Sequence, residues 1–296
     1  MGNPNALPNT AALTPLDVQA AIARLHDLPA SAPIVRRALA ELENPEFAVA
    51  DVKKTLLSDS ALAARVLRLA NSAYFGFRSE VQTVSQAIVL LGPQRIRTLL
   101  RRILVDKIMA DLASRRPDAA PVRRMSLATA TASCTLSQLL LREDAEEMLL
   151  GGLLHNIGEL FFLSQFPAEY LQVRRLAENL HEKEAAQAVF GITSCQAGKQ
   201  LLGRWNFPLL YRVVVEHIDE PLAANYPAEL TVAVSLVHSG KKLAEAFVAD
   251  LEAAEAVTRV SPEVSSLLGL DSELLAEVYQ TLPQRMSLEQ LQAGRR

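Results

Sequence analysis

The chain has 296 residues, half of them hydrophobic and only 5% aromatic, with 30 Lys and Arg against 33 Asp and Glu. That length supports one large domain or two smaller ones around a real core. A net charge of −3 gives no general attraction for nucleic acid or anionic membrane, and the two cysteines, Cys134 and Cys195, read as reduced thiols of a cytoplasmic protein.

The opening stretch MGNPNALPNTAAL lacks a basic segment followed by an apolar one, so residues 1–13 read as a disordered leader and not as a signal peptide. No uncharged apolar run reaches membrane-spanning length. Thr14 before Pro15 is a cap with a first-turn proline and starts a helix to about residue 28. A loop over 29–33 leads to helices at 34–42 and 49–57, separated by Asn44-Pro45. Ser58 or Ser60 is expected to cap the next helix, on which Leu62, Val66, Leu69 and Ala70 form an apolar stripe. That helix runs into Asn71-Ser72-Ala73-Tyr74-Phe75-Gly76, where Gly76 suits a positive φ and two aromatics can anchor a turn. Thr83 or Ser85 caps a short helix ending at Gly92, and Pro93 opens a long one to about residue 114.

A PDAAP hinge at 117–121 precedes helices expected over 122–141, 144–165, 168–180, 183–190, 195–205, 208–218 and 228–249. Three more follow at 262–268, 272–282 and 287–292. The β-branched run Val213-Val214-Val215 is read as helix, because its apolar neighbours continue at helical spacing. No fixed-period repeat is present. The fold class is all-α.

Within residues 57–100, the run ANSAYFG followed by QAIVLLGPQRIR resembles the N-terminal signature of the HD-related output domain (HDOD) family of bacterial signalling proteins. The resemblance extends over roughly residues 28–247. It implies a multi-helix HD-like bundle: an N-terminal helical subdomain (14–116), an HD-like subdomain (117–250) and C-terminal helices (251–296). Asn71, Ser72, Tyr74, Phe75 and Gly76 would form the family's signature loop. The family is a degenerate relative of the HD and HD-GYP metal-dependent phosphohydrolases. In those enzymes an adjacent His and Asp help hold a divalent ion that polarises phosphate and activates water.

The segment LLGGLLHNIGELFFL at 149–163 resembles that motif, with His155-Asn156 in the place of the pair. By the same resemblance Met125, Ser194 and Lys241 stand where relatives carry His, His and Asp. A thioether, an amide, a hydroxyl and an ammonium do not make a hard-cation site. Met125, His155, Asn156, Ser194 and Lys241 are therefore read as a vestigial site, with no metal, no cofactor and no catalytic residue.

The other candidates read more blandly. His155 is expected to be a hydrogen-bonded core residue, His217 a helix-end histidine, His238 structural, and His26 and His181 exposed. Arg95, Arg97, Arg101, Arg102 and Lys107, followed by Arg115, Arg116, Arg123 and Arg124, read as a solvated face balanced by Asp106 and Asp111. Phosphate contact is the minority reading, and it requires the arginines to share one exposed face. Trp205 reads as a packing anchor. The expected function is a non-catalytic signalling or regulatory module, acting through contacts with unidentified signalling proteins in a bacterial pathway. No membrane or nucleic-acid partner is expected, and nucleotide binding has only weak support. The alternative is a metal-dependent phosphohydrolase acting on a cyclic dinucleotide or nucleotide.

Overall fold

Leu and Ala dominate the chain and favour helix, and helix is the only regular structure among the described residues. The computed structural model describes residues 15–25, 32–71, 79–114, 116–142, 144–223 and 226–294. The first half contains α1 (Pro15–Arg24), α2 (Ala32–Glu43), α3 (Val49–Leu57), α4 (Ser60–Ala70) and α5 (Val84–Ala113). After a short 3-10 turn at Pro117–Ala119 come α6 (Ala120–Leu139), α7 (Ala145–Leu154), α8 (Ile157–Gln165), α9 (Pro167–Leu176), α10 (Glu182–Phe190) and α11 (Ser194–Arg204). The chain continues through α12 (Leu209–His217), α13 (Ala228–Val248), α14 (Ala253–Val257), α15 (Pro262–Leu268) and α16 (Ser272–Gly294). No described helix is long and apolar enough to cross a membrane.

Local chemistry explains most boundaries. Thr83 caps α5 in a reciprocal box with Gln86, as its position suggests. Gly92, at φ 74° and ψ 170°, then breaks the run, and Pro93 restarts it. The cap of α4 is a correction: Asp59, not Ser58 or Ser60, accepts the amides of Ala61 and Leu62 at 2.9 and 3.1 Å. A carboxylate there also meets the positive end of the helix dipole, while the Ser58 hydroxyl donates backwards to the Thr55 carbonyl. Asn71 closes the segment that follows α4. Its carboxamide donates to the Leu67 and Val81 carbonyls at 3.0 and 2.8 Å and accepts the Val81 amide at 2.7 Å. Ser72, Tyr74, Phe75 and Gly76 of the signature loop lie outside the described residues, as do His26 and Arg115.

Three expectations are corrected by packing. The helix expected over 144–165 is two helices, broken at His155-Asn156. The break lets α8 lie directly on α11, where a Cβ on Gly158 would fall 1.8 Å from the Ser194 carbonyl oxygen. The helices expected at 272–282 and 287–292 are one, α16, which continues past Pro283 with Leu282 and Met286 both buried. Burial there outweighs the proline penalty. The five-residue helix α14 was not expected at all.

The apolar core runs from Val18 and Ile22 through α2–α5 into Leu150, Phe161 and Leu201 without interruption at residue 117. Phe162 and Phe190 stack within it at 4.0 Å between ring centres. A second cluster joins Leu236 of α13 to Val264, Val278 and Leu282 of the C-terminal helices. Helix α6 sits between α7 and α13 and presents small residues to both. A Cβ on Gly152 would lie 2.4 Å from the Ala130 Cα, and one on Gly240 would lie 2.2 Å from the Ser133 Oγ. Three buried hydroxyls of α6 close onto their own helix: Thr131, Ser133 and Thr135 donate to carbonyls four residues back.

Candidate functional site

The break between α7 and α8 places two polar residues, His155 and Asn156, side by side. A cavity of about 690 Å³ opens there, bounded by α6, the N-termini of α8 and α11, the turn after α12 and the middle of α13. All five residues of the vestigial set, Met125, His155, Asn156, Ser194 and Lys241, line it. They come from four elements that the sequence separates widely.

His155 is buried, and its Nδ1 lies 2.7 Å from the Gly152 carbonyl oxygen. A carbonyl only accepts, so Nδ1 carries the proton and Nε2 presents a lone pair. Burial first, and the nearby Lys241 charge second, push its pKa down to about 4, so the ring is neutral. Nε2 has no hydrogen-bond partner among the described residues. Asn156 follows at the start of α8, and its side chain caps nothing.

Lys241 of α13 lines the same cavity. Its ammonium bonds to the Asp219 carboxylate and lies 3.5 Å from Glu245. Burial works against the charged lysine, but Asp219 and Glu245 more than compensate and raise its pKa. Burial likewise opposes the Asp219 charge, yet Lys241 and then Lys183, 3.4 Å away, hold that carboxyl at about 2. Lys183 is shared with Glu220 at 3.1 Å. The Cys195 sulfur lies 4.0 Å from an Asp219 oxygen, and burial followed by that negative charge pushes its thiol up to about 11. It stays protonated and unreactive at neutral pH.

Two contacts at the site go beyond the sequence reading, one at Glu159 and one at His238, which was expected only to be structural. Glu159, three residues past Asn156 on the same face of α8, accepts a hydrogen bond from the Tyr170 hydroxyl. Burial, with Glu182 nearby, raises its pKa. The spacing from Asn156 was the available signal. The second is His238, whose Nδ1 lies 2.6 Å from the Ile218 carbonyl oxygen and so pins the turn that presents Asp219. No local pattern announces that contact.

The HD relationship implies a divalent metal, and the donors present do not fit one. Among the described residues no group of three His, Cys, Asp or Glu side chains is arranged to hold an ion. The carboxylate best placed to bind a cation, Asp219, is bonded to an ammonium, and the nearby thiol is protonated.

The remaining candidates lie outside this arrangement. His217 ends α12 with its Nε2 3.2 Å from the Tyr226 hydroxyl. His181 is exposed at the start of α10, on the rim of the cavity. Trp205 is buried and donates to the Leu25 carbonyl at 3.0 Å, an anchor between α11 and the N-terminal helices. The described arginines of α5 do not share one exposed face. Arg97 donates to the Leu42 carbonyl at 2.8 Å, and Arg102 bonds to Asp106, which also binds Arg65 at 2.6 Å. Arg124 lies over the Phe247 ring.

Comparison with known proteins is consistent with this fold. The HDOD domain profile matches residues 28–221. An uncharacterized protein of Treponema pallidum (strain Nichols) is 25% identical over 189 residues, 62% of this chain and 36% of that one. This chain therefore spans about a third of the length of that curated relative. Among solved structures, an HDOD domain protein of unknown function from Geobacter sulfurreducens is 20% identical with a TM-score of 0.68, covering 93% of this chain and 97% of the other. A Shewanella amazonensis SB2B protein, provisionally named a phosphohydrolase, is 24% identical with a TM-score of 0.67, covering 92% and 96%. At these identities the two structures establish a common fold and nothing further.

Proposed function

This chain belongs to the HDOD family, and from that premise we propose that it is a non-catalytic regulatory module that passes a signal through protein contacts. The observation that supports this reading is the Lys241–Asp219 ion pair. Hydrolysis of a phosphate ester on an HD scaffold needs carboxylates free to hold a metal that activates water. Here an ammonium tethered to α13 already neutralises two of the cavity's carboxylates, Asp219 and Glu245. An incoming divalent ion would have to displace it against like-charge repulsion. Asn156 replaces the other expected carboxylate with a neutral amide, and Met125 and Ser194 supply no strong donor for a hard cation.

We take residues 14–116 as the subdomain that carries the signature loop, 117–250 as the HD-like subdomain, and 251–296 as C-terminal helices that cover α13. The partner is a signalling protein of the same bacterial cytoplasm. The test is turnover of bis-p-nitrophenyl phosphate and cyclic di-GMP with Mn, Mg, Fe or Ni added. The expected rate equals the protein-free blank. Metal-dependent hydrolysis that disappears in His155→Ala would replace this proposal with the phosphohydrolase reading.

A further inference from the structure

The polar groups of the cavity are unequally satisfied. Its lysines are all engaged: Lys241 with Asp219 and Glu245, Lys183 with Asp219 and Glu220, and Lys242 with Glu245 at 3.0 Å. Six acidic side chains line the space against three lysines and Arg174. A phosphate or carboxylate entering here meets that acidic excess and finds every lysine engaged, with only the exposed Arg174 outside an ion pair among the described cations of the lining. A cation meets three ammonium groups already in place. Neither charge is welcomed, and an uncharged molecule is the one that avoids both repulsions.

His155 Nε2 is the conspicuous unsatisfied atom. The residue is 4% exposed and faces the cavity, and its lone pair has no partner among the described residues. A buried acceptor left unpaired costs stability, so its persistence points to a donor that comes from outside the chain. The next residue, Asn156, lines the same wall with a carboxamide that caps nothing. An acceptor beside a donor matches a molecule that carries N–H beside C=O. The opposite requirement, an apolar surface for a flat ring, is met by Met125, Leu163 and Leu171. The volume, about 690 Å³, falls within the range of small-molecule sites.

We propose that this cavity binds an uncharged small molecule with an amide or lactam edge, its N–H donating to His155 Nε2 and its carbonyl accepting from the Asn156 carboxamide. The proposal goes beyond the regulatory reading by giving the module an input. It does not depend on which partner reads that input.

The test uses the full chain, with nicotinamide and uracil as probes and their carboxylate counterparts nicotinate and orotate as charged controls. Calorimetry gives the affinities, and nitrogen NMR of histidine-labelled protein reports His155 Nε2 directly. At least one neutral probe should bind and shift the Nε2 resonance as it accepts a hydrogen bond, and its carboxylate counterpart should bind at least about tenfold more weakly. Asn156→Leu should weaken the neutral probe by about tenfold while leaving the fold intact. That variant keeps the test decisive if His155→Leu does not fold. Failure of both neutral probes to move the His155 signal at millimolar concentration overturns the proposal. So does tighter binding of the carboxylates. Either result leaves the regulatory reading standing, whereas phosphodiester turnover would sink that reading without touching this one.

Discussion

The Lys241 ammonium and the Asp219 carboxylate, 22 residues apart in sequence, are bonded directly to each other in the lining of the cavity that the HD motif faces. A metal-dependent relative needs its carboxylates at this depth to face an ion, whereas here the positive charge is covalently part of the protein. That exchange ties the chemistry of the site to the packing of α13 against the turn after α12.

Breaking the pair from one side should cost more than removing it. Lys241→Met leaves Asp219 partly buried without its main partner, and we expect a loss of about 2 kcal/mol, less than for a fully buried pair because both side chains retain some solvent. Asp219→Asn should lose a similar amount. Lys241→Met combined with Asp219→Asn should recover much of it. Urea unfolding of the four proteins gives the cycle, and strictly additive losses would show that the pair contributes no coupling.

Acid should destabilise the protein in two windows. The folded His155 pKa of about 4 lies below its ordinary 6.5, so the unfolded chain binds more protons between those values. Stability therefore falls as pH drops from about 6.5 to 4, by roughly 3 kcal/mol, with His238 acting in the same direction. Asp219, held at about 2 against an ordinary 3.8, stabilises the fold above pH 3.8 and loses that contribution as pH falls toward 2. The loss is roughly 2 kcal/mol. Unfolding free energies measured across this range should flatten in the upper window for His155→Phe and in the lower one for Asp219→Asn. Unchanged slopes in both variants would contradict these assignments.

At Gly158 the fold leaves no room for a side chain. A Cβ there would lie 1.8 Å from the Ser194 carbonyl oxygen and 2.8 Å from the Gly198 nitrogen, all backbone atoms that cannot swing aside. Gly158→Ala should cost at least about 3 kcal/mol and move α8 away from α11. Gly203→Ala is the control, because its nearest neighbour is an Arg212 side-chain carbon at 3.8 Å. A Gly158→Ala protein that melts with the wild type would mean that the two helices do not cross this closely.

Asn71 should hold the ends of the signature segment together. Its three hydrogen bonds span the chain from Leu67 to Val81. Asn71→Ala should lose about 1–3 kcal/mol and speed proteolytic cleavage between residues 71 and 81. Cleavage at the wild-type rate would remove Asn71 from that role.

Much of this architecture was legible because its signals are local. The Thr83 cap, the Gly92–Pro93 restart and the apolar stripe of α4 each depend on residues within one or two turns. The cap at Asp59 was missed because three neighbouring residues could all accept the same amides, and only the backbone path selects one. The break at His155-Asn156 was missed, since the apolar pattern continues on both sides, and the close approach of Gly158 to Ser194 that accompanies it is not local in sequence. The five vestigial positions could be located by resemblance, and they do share one cavity. The contacts around them could not: Asp219, Lys183 and Tyr170 reach the site from separate elements, and no spacing along the chain encodes their bonds to Lys241, Asp219 and Glu159.

The measurement that bears most directly on the account is the metal content of the protein purified without chelator, determined by elemental analysis after exhaustive dialysis. With Lys241 bonded to Asp219, Mn, Fe, Ni and Zn should all be far below one ion per chain, and added Mn should give no saturable binding. One or two ions retained per chain, and lost in His155→Ala, would show that the cavity is a metal centre and that the ammonium does not fill the role assigned to it.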